Sequence, residues 1–227
     1  MLSHNHSKHY QSETASAIYL FGHKFAILSY MKSLNVNKPH LIITVGIPGS
    51  GKSFFAEHFA DTFKAPIISF DQLSNKLFVA PLFSGEEIES INRAMDHMLD
   101  QVLKTGRTVV YEGNTGLRSN RTRIAKKARD LGYEPLFIWV QTESLTAKKR
   151  AIKPVVGKPI IDAKQFDVIL KQFSTPHHTE KAIVISGKHT YASQLKIVLK
   201  HLSKSRVPDN DPIVPIRPTV KRSFLIR

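Results

Sequence analysis

A run of eight residues constrains this chain more than any other: Gly46-Ile47-Pro48-Gly49-Ser50-Gly51-Lys52-Ser53. It fits the spacing G-x-x-x-x-G-K-[ST], which works only where a strand passes through a loop into a helix. The flanks agree. Leu41, Ile42, Ile43, Thr44 and Val45 make a short apolar, β-branched run before it, the pattern of a strand buried on both faces. Phe55, Phe59 and Phe63 follow at the spacing of one helix face. Glycines at 46, 49 and 51 let the backbone turn sharply and approach an anion closely. Successive N–H groups then form a nest, and the helix N-terminus adds partial positive charge. The expected ligand is the phosphate chain of a nucleoside triphosphate, held by Gly46, Ile47, Pro48, Gly49, Ser50, Gly51, Lys52, Ser53 and Phe54. Lys52 should reach the β- and γ-phosphates, and Ser53 should offer its hydroxyl to Mg²⁺.

The rest of the chain repeats this alternation. Ala65 to Phe70 reads as a second strand ending at Asp71, Thr108 to Tyr111 as a third ending at Glu112-Gly113-Asn114, Pro135 to Val140 as a fourth and Ala182 to Ile185 as a fifth. Between them lie helical patterns over Ser84 to Lys104, Leu117 to Leu131, Ser144 to Arg150 and Asp162 to Phe173, and a last one over Tyr191 to Leu202. Gly132 suits a helix C-cap. Strands alternating with helices imply a parallel sheet covered on both faces, a three-layer α/β/α sandwich. Such sheets bind ligands at the carboxyl ends of their strands, where the glycine-rich loop, Asp71 and Glu112 gather.

Residues 1–36 are read as a polar, His-rich N-terminus followed by an accessory helix, with Ala17, Leu20, Phe21, Phe25, Leu28 and Met31 at helical spacing. Residues 37–203 form the α/β domain. Residues 204–227 form a basic tail whose Pro208, Pro212, Pro215 and Pro218 forbid a long helix.

Charge bears on the partner. The net charge is +15. From Arg118 to Lys164 there are twelve Lys or Arg against four Asp or Glu. A field of this sign favours a polyanion, either nucleic acid or a phosphorylated small molecule. Cysteine is absent, which excludes disulfides, thiolate metal sites and thiol catalysis. No apolar run reaches the roughly 18 residues of a membrane span, and the N-terminus lacks the order of a signal peptide, so a cytoplasmic location is expected.

Asp71 is placed to accept a proton from a substrate hydroxyl, or else to cap the helix after it. Glu112 could hold Mg²⁺ through water or position a substrate. Lys148, Lys149, Arg150 and Lys153 lie where a cover over the phosphates could form, and one of them could stabilise charge on a transferring phosphoryl group.

Together these pieces resemble the P-loop kinases related to polynucleotide 5′-kinase and the zeta toxins, often grouped with AAA-like ATP-binding proteins. The resemblance runs from about Pro39 to Leu202. It is carried by the loop at 46–53, by Ile68-Ser69-Phe70-Asp71, by Val109 to Asn114 with Arg118 and Arg121 after it, and by Phe173-Ser174-Thr175-Pro176 with Glu180. It implies a five-stranded parallel sheet of order 2-3-1-4-5, Mg-ATP as donor, and Asp71 as general base. It implies a basic lid at about 150–175 with Arg150 as its catalytic cation. It also implies substrate contacts among Asp71, Glu112, Asn114, Arg118 and Arg121, and Mg²⁺ near Ser53 and Glu112. The family's Arg shortly after the base has no counterpart, since Gln72, Leu73 and Ser74 follow Asp71. A polynucleotide or nucleotide-like 5′-hydroxyl is the acceptor that charge favours. A small-molecule kinase acting on a nucleotide sugar or antibiotic, or a nucleic-acid-binding ATPase with no acceptor, are the alternatives.

Overall fold

β1 (His40–Val45) is the central strand of a five-stranded, all-parallel sheet of order β2-β3-β1-β4-β5. The computed structural model describes residues 38–79, 81–153 and 161–204. β3 (Val109–Glu112) and β4 (Glu134–Gln141) flank β1, β2 (Ile67–Ser69) lies outside β3, and β5 (Ile183–Ser186) lies outside β4. The expected strand order is therefore the one observed. Residues 1–36, the tail beyond 204 and residues 154–160 of the expected lid lie outside the described residues, so the accessory helix, the tail and part of the lid are not described.

A strand with neighbours on both edges and helices on both faces is buried, which is why β1 reads as a mostly apolar run; its buried Thr44 hydroxyl donates to the Tyr111 carbonyl at 3.5 Å. Its side chains alternate between two cores. Leu41, Ile43 and Val45 point into one, with Ile91, Met95 and Leu99 of α3 (Gly85–Leu103) and Ile124, Ala125 and Ala128 of α4 (Arg118–Asp130). Ile42 points into the other, with Phe55 and Phe59 of α1 (Lys52–Phe63) and Leu195 and Val198 of α7 (Tyr191–Lys204). The phenylalanine spacing of α1 is a packed ladder, with ring centroids 5.6 Å apart for Phe55–Phe59 and 4.5 Å for Phe59–Phe63. A smaller cluster of Ile47, Ala147 and Phe166 seats α5 (Ser144–Ala151) and α6 (Ala163–Gln172) against the glycine-rich loop.

Helix ends follow local chemistry. Ser84 caps α3 by accepting from the Glu87 amide at 3.3 Å. Asp162 and Gln165 form a reciprocal capping box on α6. After α4, Gly132 takes the left-handed conformation (φ 80) that a helix exit needs. The second strand differs from expectation. It stops at Ser69, and Phe70 and Asp71 already belong to α2 (Phe70–Leu77). An edge strand held by three register pairs to β3 is easily ended, and a carboxylate in a helix's first turn is favoured by the helix dipole.

One buried ion pair locks the loops together. Arg121 is 0% exposed, and its three side-chain nitrogens all donate to protein. Nε and Nη2 donate to the Glu180 carboxylate at 2.7 and 3.0 Å. Nη1 donates to the carbonyls of Thr115 and Ser174, each at 2.9 Å. The guanidinium thus joins the exit of β3 to the segment before β5. Burial raises the Glu180 carboxyl, but hydrogen bonds from Arg121 and the His177 amide, with the charge of Arg121, outweigh this and leave it below its ordinary value.

Removing one partner of such a pair strands the other charge. Arg121→Met should lower the unfolding free energy by about 3–5 kcal/mol, read from urea denaturation. A carboxyl with a depressed folded pKa stabilises above its ordinary value of 4.5, and that stabilisation is lost as pH falls through the folded pKa. Stability measured against pH should therefore fall with acid below that value in the wild type, and fall less in Arg121→Met.

Candidate active site

The loop from Gly46 to Ser53 joins β1 to α1 at the carboxyl edge of the sheet. Gly49 has φ 75 and Gly51 has φ 105, both left-handed. A Cβ at Gly49 would collide with the Ala147 carbonyl, so glycine is needed there for shape and for closeness to α5. The loop is braced from behind. The Thr142 hydroxyl donates to the Ser50 carbonyl at 2.9 Å, and Gly187 presses so closely on that carbonyl that a side chain there would overlap it.

α1 starts as an anion site. Its N-cap is Gly51, which supplies no side-chain cap, and its first turn holds no acidic residue. Its opening amides and positive dipole end are left to a ligand. Lys52 curls over the loop and donates from Nζ to the Ile47 carbonyl at 3.1 Å.

Glu112 ends β3 beside the loop and is 5% exposed. Its Oε1 accepts from the Ser53 hydroxyl at 3.3 Å, and its Oε2 from the Ser69 hydroxyl at 2.8 Å. A hydroxyl and a carboxylate held side by side at a phosphate loop are hard oxygen donors suited to Mg²⁺, which takes one or two protein oxygens and completes its shell with phosphate and water. The residues present therefore fit Mg²⁺. Ser69 is a site residue that sequence reasoning missed. Its signal was the register: parallel pairing sets Ser69 opposite Glu112. Its hydroxyl makes no cap bond to α2 and turns to the carboxylate instead.

These groups open on a cleft of about 620 Å³, within the range that encloses small ligands. Gly46, Ile47, Pro48, Gly49, Gly51, Lys52, Ser53 and Phe54 of the expected nucleotide segment line it, while Ser50 is buried beneath. Asp71 lines it from the first turn of α2, Glu112 and Asn114 from the end of β3, and Arg150 from α5. Arg150 is exposed and donates to the Gly187 carbonyl at 3.1 Å.

Two expected substrate contacts are placed elsewhere. Arg118 stands exposed at the start of α4, outside the cleft lining, where its charge acts on His177 and Glu180. Arg121 is enclosed and fully engaged, as described above. The family resemblance implied a ligand contact for Arg121, but the fold uses it as a strut.

The basic stretch is also less basic in space than in sequence. Arg121, Arg123, Lys127 and Lys148 pair with Glu180, Asp96, Asp100 and Asp167, carboxylates that all lie outside 118–164. Among the described residues no helix is long and apolar enough to cross a membrane.

A family model described as an AAA domain matches residues 41–176, more than half of the chain. No curated protein matches the sequence. Among solved structures, the chain is similar to a gluconokinase from Sinorhizobium meliloti 1021, at 18% identity over 73% of this chain and 93% of that one, with a TM-score of 0.54. It is similar to Kti12 from Chaetomium thermophilum in complex with ADP-AlF3, at 14% identity over 72% and 97%, TM-score 0.56. It is also similar to the APS kinase CysC from Mycobacterium tuberculosis in complex with AMPPNP and APS, at 18% identity over 74% and 99%, TM-score 0.54. At these identities the likeness is one of fold.

The two-sided hold on Glu112 predicts the effect of losing one side. Ser69→Ala leaves a buried carboxylate oxygen without its donor and should destabilise the chain by about 1–3 kcal/mol, measured by urea denaturation, whereas Ser69→Thr keeps the hydroxyl and should recover most of it.

Proposed function

The chain belongs to the AAA domain family, and from that premise we propose that it is a kinase, transferring the γ-phosphoryl group of Mg-ATP to a substrate hydroxyl. The observation that carries this is the convergence on one cleft of an uncapped helix N-terminus, the Ser53–Glu112 pair and the Asp71 carboxylate. The first two suit a nucleotide with its metal. The third suits an acceptor. The fold likeness to proteins named gluconokinase and APS kinase supports the same reading.

Each residue has a task in this scheme. The loop amides and Lys52 bind the phosphate chain, and Ser53 and Glu112 hold Mg²⁺. When bound, Mg-ATP supplies the phosphoryl group, with the metal neutralising charge on its oxygens. Asp71 orients the acceptor hydroxyl and takes its proton as the acceptor oxygen bonds to the γ-phosphorus and the bond to the leaving ADP breaks. Arg150, at the mouth of the cleft, faces the charge that spreads over the transferring oxygens.

Net charge alone favours a polynucleotide or nucleotide-like 5′-hydroxyl as the acceptor. A small molecule is the second reading, favoured by the enclosure of Arg121 and the pairing of its basic neighbours.

Asp71→Ala should reduce transfer of labelled γ-phosphate by about 10²–10⁴-fold while leaving the ATP dissociation constant nearly unchanged. Lys52→Ala should weaken nucleotide binding itself, measured by calorimetry. ATP turnover that is indifferent to Asp71→Ala, with no acceptor labelled, would identify a nucleotide-hydrolysing binding protein instead.

A further inference from the structure

Beyond the phosphate loop the lining of the cleft has a different chemistry. Phe70 at the start of α2, Ile88 on α3, Leu117 before α4, and Ile169 and Phe173 of the α6 segment give it apolar surface. The polar side chains set among them, Asn92, Asn114 and Gln172, are neutral amides that both donate and accept hydrogen bonds. Among the described residues, the cations that line the cleft are Lys52, Arg150 and Lys153. The first belongs to the phosphate loop. The other two lie in or just beyond α5, which follows β4, on the opposite side of β1 from β3 and β2. The carboxylates Asp71 and Glu112 stand on the β2–β3 side.

A phosphorylated or polynucleotide acceptor would bring anions to this wall. Among the described residues of this wall it would meet two carboxylates, apolar surface and amides. An anion withdrawn from water onto such a surface loses hydration without gaining a counter-charge. Grooves that track nucleic-acid backbones line themselves with cations and with aromatic platforms. The two arginines expected to contact a substrate do not serve there: Arg118 lies outside the cleft lining, and Arg121 has every side-chain nitrogen bonded to protein.

We infer that the acceptor is an uncharged alcohol with an apolar face, packed on the wall of Phe70, Ile88 and Phe173 and oriented by Asn92, Asn114 and Gln172 so that one hydroxyl meets Asp71. This rests on the kinase reading above. The acceptor's proton passes to Asp71, its oxygen bonds to the γ-phosphorus, and ADP leaves. Burial of an apolar face supplies affinity that needs no charge, and the amides supply the directional contacts that select the hydroxyl.

The test is a panel of acceptors matched in their hydroxyl and different in charge, given to the full chain with Mg-ATP and labelled γ-phosphate. It includes a nucleoside, its 3′-monophosphate, a short 5′-hydroxyl oligonucleotide, a set of neutral aromatic and alicyclic alcohols, and a sugar beside its phosphate. Neutral members should be phosphorylated with kcat/KM at least about tenfold above their charged partners. Asn114→Ala, at an exposed position, and Phe173→Ala should each raise KM for the neutral acceptor by about tenfold or more, with the KM for ATP unchanged. A preference for the phosphate-bearing member of each pair overturns the acceptor class and leaves the kinase reading standing. Labelling of no member, with ATP bound normally, overturns both.

Discussion

A carboxylate almost wholly withdrawn from water has to be bonded on both oxygens, and the site is organised around that demand. Glu112 ends the strand next to β1, and hydroxyls from two separate elements close on it: Ser53 from the first turn of α1 and Ser69 from the end of β2. The bridge spans three consecutive pieces of the cleft. It joins the phosphate loop to the third strand, and the third strand to the helix that carries Asp71. Its geometry depends on parallel pairing, because only the in-register alignment of β2 on β3 sets Ser69 opposite Glu112. The start of α1 and the start of α2, with Asp71 in its first turn, are thereby tied to one carboxylate, so their separation is set by the sheet rather than by flexible loops.

A second network braces the loop that follows β3. Arg121 sits at the crossing of the loop after β3 and the segment before β5, and donates to four backbone carbonyls and a carboxylate. Arginine suits this place because its planar fork holds several acceptors at once without rotating. The same enclosure removes it from the cleft. With Arg123, Lys127 and Lys148 also paired to carboxylates from other parts of the chain, four of the twelve cations of the 118–164 segment are engaged in ion pairs. Net charge counted along a sequence is blind to this, since the neutralising groups lie far away in sequence and close in space.

The legibility of the chain was uneven for physical reasons. Elements longer than one helical turn with strong periodicity, such as α3 with Ile91, Met95 and Leu99 on one face, were readable because burial imposes the period. The limits of β2 were not, because a three-residue edge strand has too little pattern to compete with the helix that starts at Phe70. Asp71 and Glu112 were legible as cleft residues because strand ends in a parallel sheet converge, whereas Asn114 and Arg150 were named through the family resemblance. Ser69 was not, because a serine in a strand has no distinctive signal until its cross-strand neighbour is known. Arg118 and Arg121 were assigned to the acceptor by the family resemblance. Whether a helix residue faces the cleft, the solvent or the interior depends on how the helix packs, which the spacing leaves open.

The sequence by itself determined the phosphate loop, the alternation that makes a parallel sheet, and the edge at which ligands gather. Each is a local rule: glycines where the backbone must turn tightly, β-branched runs where both faces are buried, a helix N-terminus directly after the loop. The tertiary structure alone decided which polar groups became partners. It joined Ser69 and Ser53 through Glu112, turned Arg121 from a ligand contact into a strut, and gave the cleft beyond the phosphate loop its apolar surface and amides. Those outcomes depend on residues tens of positions apart being brought within hydrogen-bonding distance, and hydrogen bonds and burial act over only a few ångströms.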